Sequence, residues 1–188
     1  MPPSGETVKL RKFLKTRTSA AHDALDASVS QADLADPAGY ADFLRKQLRA
    51  RLPIEHWTSR NCPSAIRPPA TAPLIEADLA AMGSPTDVDA RETFSLPLDA
   101  DPLGLAWAMA GSHMGNRAML KQMRDAGSAL PASFLADEAM MAFWRELRPQ
   151  VEADVFIAVA ERAARGAEAV FDHFAIAFSA SAAHRDAA

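Results

Sequence analysis

Apolar residues recur at three- and four-residue intervals through most of this chain, the spacing of helices packed along one face. The first such stretch covers residues 6–30, where Leu14, Thr18, Leu25 and Val29 share a face with His22 and predict an imidazole set among aliphatic side chains. A second opens at Asp36-Pro37, an acidic cap followed by proline at the first helical position. Tyr40, Phe43, Leu44, Gln47 and Leu48 carry it on until Pro53 kinks or ends it. Pro63, Pro68, Pro69 and Pro73 mark residues 61–73 as a loop, and a short helix from Leu74 to Met82 is closed by Gly83. After an irregular stretch at 84–100, Asp101-Pro102 repeats the cap-then-proline signature and opens a helix that ends at Gly127. Ser133 caps a further helix through Leu147. The last runs from about Val151 to Ala180, with Val151, Val155, Val159, Ala163, Val170, Phe174 and Phe178 on one stripe. The pattern predicts an all-α, single-domain bundle of six or seven helices over residues 1–188, with flexible tails at 1–5 and 181–188.

Composition sharpens this picture. The chain has 188 residues and is 49% hydrophobic, enough for one sizeable core. Its alanine-rich apolar share favours helix over sheet. A formal charge of −4 argues against nucleic-acid binding, which ordinarily needs a basic surplus. No apolar run reaches the roughly 20 residues of a membrane-spanning helix, and the N-terminus has no secretory leader pattern. The single Cys62 rules out an intrachain disulfide and fits a reducing compartment, so the expected location is cytoplasmic. HExxH, CxxC, Walker-type and GxSxG motifs are all absent. Cys62-Pro63 is a pair also found in haem-responsive proteins, but any cysteine in so proline-rich a loop has a fair chance of preceding proline.

Two features carry chemistry. The helix after Asp101 holds Gly104, Gly111 and Gly115, and each interior glycine costs about 1 kcal/mol relative to alanine. They mark either tight helix–helix packing or a kink where bare backbone lies against a ligand. The other feature is His22, which reads as either a satisfied core histidine or an iron ligand. Neutral imidazole is a common proximal ligand of haem iron. A basic run precedes it (Lys9, Arg11, Lys12, Lys15, Arg17), and Lys15, two turns before His22 on nearly the same face, suits a haem propionate. An imidazole on one helix and glycine-thinned backbone on another is what is needed to clamp a flat iron macrocycle.

In order along the chain, several segments resemble the haem oxygenase family in its bacterial, bacteriophytochrome-associated branch. Thr18-Ser19-Ala20-Ala21-His22-Asp23-Ala24-Leu25-Asp26 is similar to the family's first helix. Asp36-Pro37-Ala38-Gly39-Tyr40 and Leu52-Pro53-Ile54-Glu55 resemble its second, and Leu79-Ala80-Ala81-Met82-Gly83 the segment that follows. Gly104 through Asn116 resembles the glycine-rich distal helix, and Gly166-Ala167-Glu168-Ala169-Val170-Phe171 a segment near the C-terminus. The resemblance implies a bundle of the haem oxygenase type in which haem is both cofactor and substrate. His22 would bind the iron, with Asp26 holding its other ring nitrogen. Gly111, Ser112 and Gly115 would cover the oxygen-binding face, with Ser112 in the water network. Products would be biliverdin, carbon monoxide and iron. Implied partners are dioxygen, an external ferredoxin-type or other reductase donor drawn to the basic first helix, and a bacteriophytochrome as biliverdin client.

The departures from the family pattern are specific. Asn116 replaces a second glycine, Trp107 a common tyrosine, and Ala110 a glutamate. Asn116 would place an amide over the haem. His113, if turned inward, would be a second iron ligand closing the oxygen site, but one residue off the Gly111–Gly115 face it is expected to point to a neighbouring helix. These two residues motivate an alternative, a haem-binding, sensing or delivery protein of the same fold without degradation. A third reading takes His22 as the phosphoacceptor of a helical phosphotransfer module, against which Asp23 and Asp26 would act by repulsion.

Overall fold

A computed structural model describes residues 5–29, 33–86 and 92–179. Of the expected tails at 1–5 and 181–188, residues 1–4 and 181–188 lie outside the described residues, as do the helix ends drawn at residue 30 and Ala180. Among the described residues seven helices have ten residues or more: α1 (Leu10–Val29), α2 (Pro37–Asn61), α3 (Ala72–Ala81), α4 (Pro102–His113), α5 (Asn116–Asp125), α7 (Ala139–Val151) and α8 (Ile157–Ser179). A single turn, α6 (Ser133–Ala136), precedes α7. The architecture is therefore an all-α bundle, and no helix among the described residues is long and apolar enough to cross a membrane.

Local chemistry explains most of the boundaries. The Asp36 carboxylate accepts from Gly39 N at 2.8 Å, the Asp101 carboxylate accepts from Leu103 N at 2.9 Å, and proline follows each cap. Gly83 and Gly127 end their helices at φ +66° and +80°, which side-chain-bearing residues rarely adopt. Pro53 neither ends nor breaks α2, which runs on to Asn61. The proline is buried, and packing around it holds the segment helical despite the lost donor. At the N-terminus, Thr7–Lys9 form a short strand, β1, paired antiparallel with β2 (Asp154–Phe156), Val8 opposite Val155. The predicted first helix is thus shortened to α1. The predicted last stripe is divided as well, Val151 closing α7 and Val155 lying in β2.

α8 is the central post. Its N-terminal half buries only small residues (Ala160, Ala163, Ala164, Gly166 and Ala167), whereas its C-terminal half buries Phe171, Phe174 and Phe178. The small half lets neighbours approach at backbone distance. A Cβ added at Gly104 would lie 1.7 Å from Ala163 O, and one at Gly166 would lie 2.4 Å from Asp101 O. Asp101 N also donates to Arg162 O at 2.9 Å. Since backbone cannot step aside as a flexible side chain can, Gly104→Ala should destabilise the fold by about 3 kcal/mol or more. A urea midpoint unchanged from wild type would contradict this crossing.

The basic run on α1 is mostly structural. Lys9 pairs with Asp154 at 2.7 Å, Arg11 with Glu152 at 3.1 Å, and Arg17 with Glu161 at 2.7 Å and Glu168 at 2.9 Å. These exposed or half-exposed pairs fasten β1 to β2, the start of α1 to Glu152 before β2, and the middle of α1 to α8, and solvent screening keeps each of them weak. Lys12 and Lys15 are exposed on the same helix.

Candidate functional site

Past Thr18, α1 stops being buried. Leu10, Leu14 and Thr18 face the core, but residues 19–24 are all exposed, and Leu25 and Val29 are only half-buried. His22 is consequently not among aliphatics, as its spacing implied, because little packs over this half of the helix. Its side chain is 53% exposed. The ring lies against Phe171 of α8, centroids 6.2 Å apart, while Nδ1 is 3.2 Å from Asp26 Oδ2 and 3.7 Å from Asp23 Oδ1. Both acids crowd the Nδ1 side, an arrangement that disfavours a phosphoryl group there.

The glycines of α4 divide between the two roles that the sequence leaves open. Gly104 is a packing glycine. A Cβ at Gly111 would meet nothing within 4 Å, and one at Gly115 only the tip of Met119 at 3.9 Å, so neither serves tight packing. The predicted single helix is interrupted at Met114-Gly115, and α5 starts afresh at Asn116. Bare backbone and a break therefore occur together at the end of α4. Gly111→Ala should stabilise the fold by about 0.5–1 kcal/mol through helix propensity, in contrast with Gly104→Ala; thermal unfolding of the two variants checks the pair.

The departures from the family pattern turn inward. Asn116 is 1% exposed, and its Nδ2 donates to His113 Nδ1 at 3.0 Å and to Phe134 O at 3.3 Å. His113 is 2% exposed and crosses Phe134 edge to face. Because Nδ1 accepts from Asn116, the proton sits on Nε2, which donates to Asp137 O at 3.1 Å. Both ring nitrogens are thus occupied within the protein, and the structure does not present His113 as an iron ligand or Asn116 as an amide over a haem. The two residues tie the start of α5 to the turn before α7. Trp107 is half-buried between the apolar clusters of α8 and α7, where it acts as packing.

Burial pushes the His113 ring below its ordinary 6.5, and Arg51 adds to this against the opposing bond to Asp137. The unfolded ring therefore takes up a proton at a higher pH than the folded one. The contribution is full above pH 6.5 and is lost as pH falls through the lowered folded value. Unfolding free energy should accordingly decline below about pH 6.5, and less steeply in His113→Gln. His173, lowered likewise by burial, supplies a further share of the slope. Equal slopes in wild type and variant would remove His113 from this account.

Beneath Ser112 lies a residue that the sequence reading passed over. Arg51, 0% exposed, donates from Nη2 to Ser112 Oγ at 3.0 Å, from Nε to Gln47 Oε1 at 2.9 Å and from Nη1 to Thr71 Oγ1 at 3.3 Å. Its guanidinium also lies over Phe134 at 5.0 Å and Phe174 at 5.6 Å. The nearby Glu55 carboxylate takes Thr71 N, Thr71 Oγ1 and Ala72 N, closing the start of α3. The available signal was polar residues at i, i+4 and i+8 (Gln47, Arg51, Glu55) on the stripe that also carries Leu44 and Leu48.

α8 links the two regions. His22 lies on Phe171, and Phe174, one turn along α8, lies under Arg51, which holds Ser112 beside Gly111. An accessible imidazole with acids on its Nδ1 side, aromatic rings and open glycine backbone suit a haem. One axial imidazole suffices for it, because the porphyrin supplies four nitrogens. Among the described residues no three His, Cys, Asp or Glu side chains gather as a cage for a bare metal ion. Cys62 is buried, and burial pushes its thiol up to about 11, so it offers no ready thiolate. No protein-family model matches this chain, and no curated protein does.

Proposed function

We propose that this protein is a haem oxygenase, a monooxygenase that binds haem through His22 and opens the ring to biliverdin. The observation that carries the reading is an accessible His22 on Phe171 of α8, with Phe174 one turn along linked through Arg51 to Ser112 beside the open Gly111. When bound, haem supplies both the iron that activates dioxygen and the macrocycle that is cleaved, with release of carbon monoxide and iron. Asp26 Oδ2 lies 3.2 Å from His22 Nδ1 and would accept a hydrogen bond from Nδ1–H, which would leave Nε2 to hold the iron. Phe171 and the half-buried Leu25 and Val29 would offer apolar surface to the macrocycle beside His22. Gly111 and Gly115 leave room beside the α4 break, and Ser112 offers a hydroxyl for ordered water. Lys15, exposed two turns before His22, is placed for a propionate.

Reducing equivalents come, on this reading, from a separate ferredoxin-type protein or other reductase. Biliverdin passes to an acceptor such as a bacteriophytochrome, in the cytoplasm. Haem binding, sensing or delivery without degradation is the second reading. Its main motive is weakened by the burial of His113 and Asn116 against each other.

Hemin titration of the purified protein, followed by ascorbate or a ferredoxin system under air, tests the proposal. Decay of the Soret band with biliverdin appearing is the expected result. A Soret band that survives reductant and oxygen would move the assignment to the binding reading. Absence of any saturable Soret band would overturn both.

A further inference from the structure

Arg51 is unusual in being completely buried with hydrogen bonds only to neutral acceptors: Gln47, Thr71 and Ser112. Removing a guanidinium from water is costly, and a direct carboxylate partner is the usual compensation. Here the nearest carboxylate in the network, Glu55, is engaged by Thr71 and the start of α3, and two aromatic faces supply the remaining contact. Glu55 and Asp137 act on the guanidinium through space without a direct hydrogen bond, and its Nη2–H is aimed at Ser112.

Ser112 is fixed from both sides. Its hydroxyl hydrogen is donated to Met109 O at 2.8 Å, and one lone pair is taken by Arg51. What remains is a single lone pair, so Ser112 can only accept from whatever enters beside Gly111. A water donating one hydrogen to Ser112 has its second free for a ligand that carries negative charge.

We propose that Arg51 is the positioning residue of the site: it orients Ser112 and makes the α4 side selective for small anionic ligands over neutral ones. This rests on the haem reading above. It goes beyond that reading by assigning a role to a residue of α2 that touches neither the haem nor the ligand. A merely structural Arg51 would staple α2 to α3 and α4 but would not discriminate between ligands by charge.

The test compares azide with imidazole as ligands of the ferric haem complex, read by absorption. Arg51→Met is expected to weaken azide by about tenfold, ~1.4 kcal/mol, and to leave imidazole unchanged. Arg51→Lys, which keeps the charge, should restore azide binding. Should the Met variant fail to fold, Ser112→Ala decides, with azide weakened by about threefold or more through loss of the oriented hydroxyl and imidazole again unchanged. Equal effects on both ligands, or unchanged azide affinity, would overturn the proposal while leaving haem binding intact. No Soret band in the wild type would instead sink the haem reading, and this inference with it.

Discussion

Replacing His22 with alanine should abolish the axially ligated haem spectrum and haem turnover, with hemin affinity falling by at least about tenfold, ~1.4 kcal/mol. The side chain is half in solvent and makes no buried hydrogen bond, so the same change should leave unfolding free energy within about 0.5 kcal/mol of wild type. That separation is informative, because a residue that matters for haem and not for folding has no packing explanation. Added imidazole should refill the position and restore the spectrum. Asp26→Asn keeps the ligand and weakens its orientation, so about a tenfold loss in affinity is expected. Titration of hemin into the three proteins, with urea unfolding in parallel, measures all of this. If the alanine variant bound hemin with the wild-type spectrum, iron would be held elsewhere and the site described here would be wrong.

What could be read from sequence depended on whether the deciding interaction was local. Asp36-Pro37 and Asp101-Pro102 declare helix starts because cap and proline act within one turn, and the structure places helices at both. Gly83 likewise declares its own φ. Gly104 and Gly111 look alike in sequence, yet one faces Ala163 O and the other open space; only the packing of α8 separates them. Spacing put His22 on an apolar face, but how well that face is covered depends on the neighbours of α1, and full burial stops at Thr18. Asn116 reads as an amide over a haem until Phe134, eighteen residues on, is seen to hold it, whereas the register of His113, off the Gly111–Gly115 face, already turned it toward neighbouring chain. The three-residue strands β1 and β2 pair across nearly the whole chain and leave almost no periodic trace. Arg51 was hidden by the prior that arginine belongs outside, although Gln47 and Glu55, each one turn away, marked a polar line through an apolar stripe.

Arg51→Ala should be among the most damaging single changes to the fold, costing about 3–5 kcal/mol. The change empties a fully buried volume between Phe134 and Phe174 and removes the donor that Gln47, Thr71 and Ser112 each accept from. It also removes a buried cation that interacts through space with Glu55 and Asp137, since the burial that lowers Arg51 to about 10 still leaves it charged at neutral pH. For a chain of this size the corresponding drop in Tm is about 10 °C. Arg51→Met fills most of the same volume without a charge, and a buried ion exchanged for an apolar group of similar size is often close to neutral. The methionine variant should therefore recover much of the stability lost in the alanine variant. Chemical unfolding of both against wild type decides the matter: an alanine variant within about 1 kcal/mol of wild type would mean that the guanidinium is not enclosed as described. If instead methionine restores stability, packing alone does not require an arginine at this position. The reason for a cation under Ser112 must then be sought in what Ser112 faces.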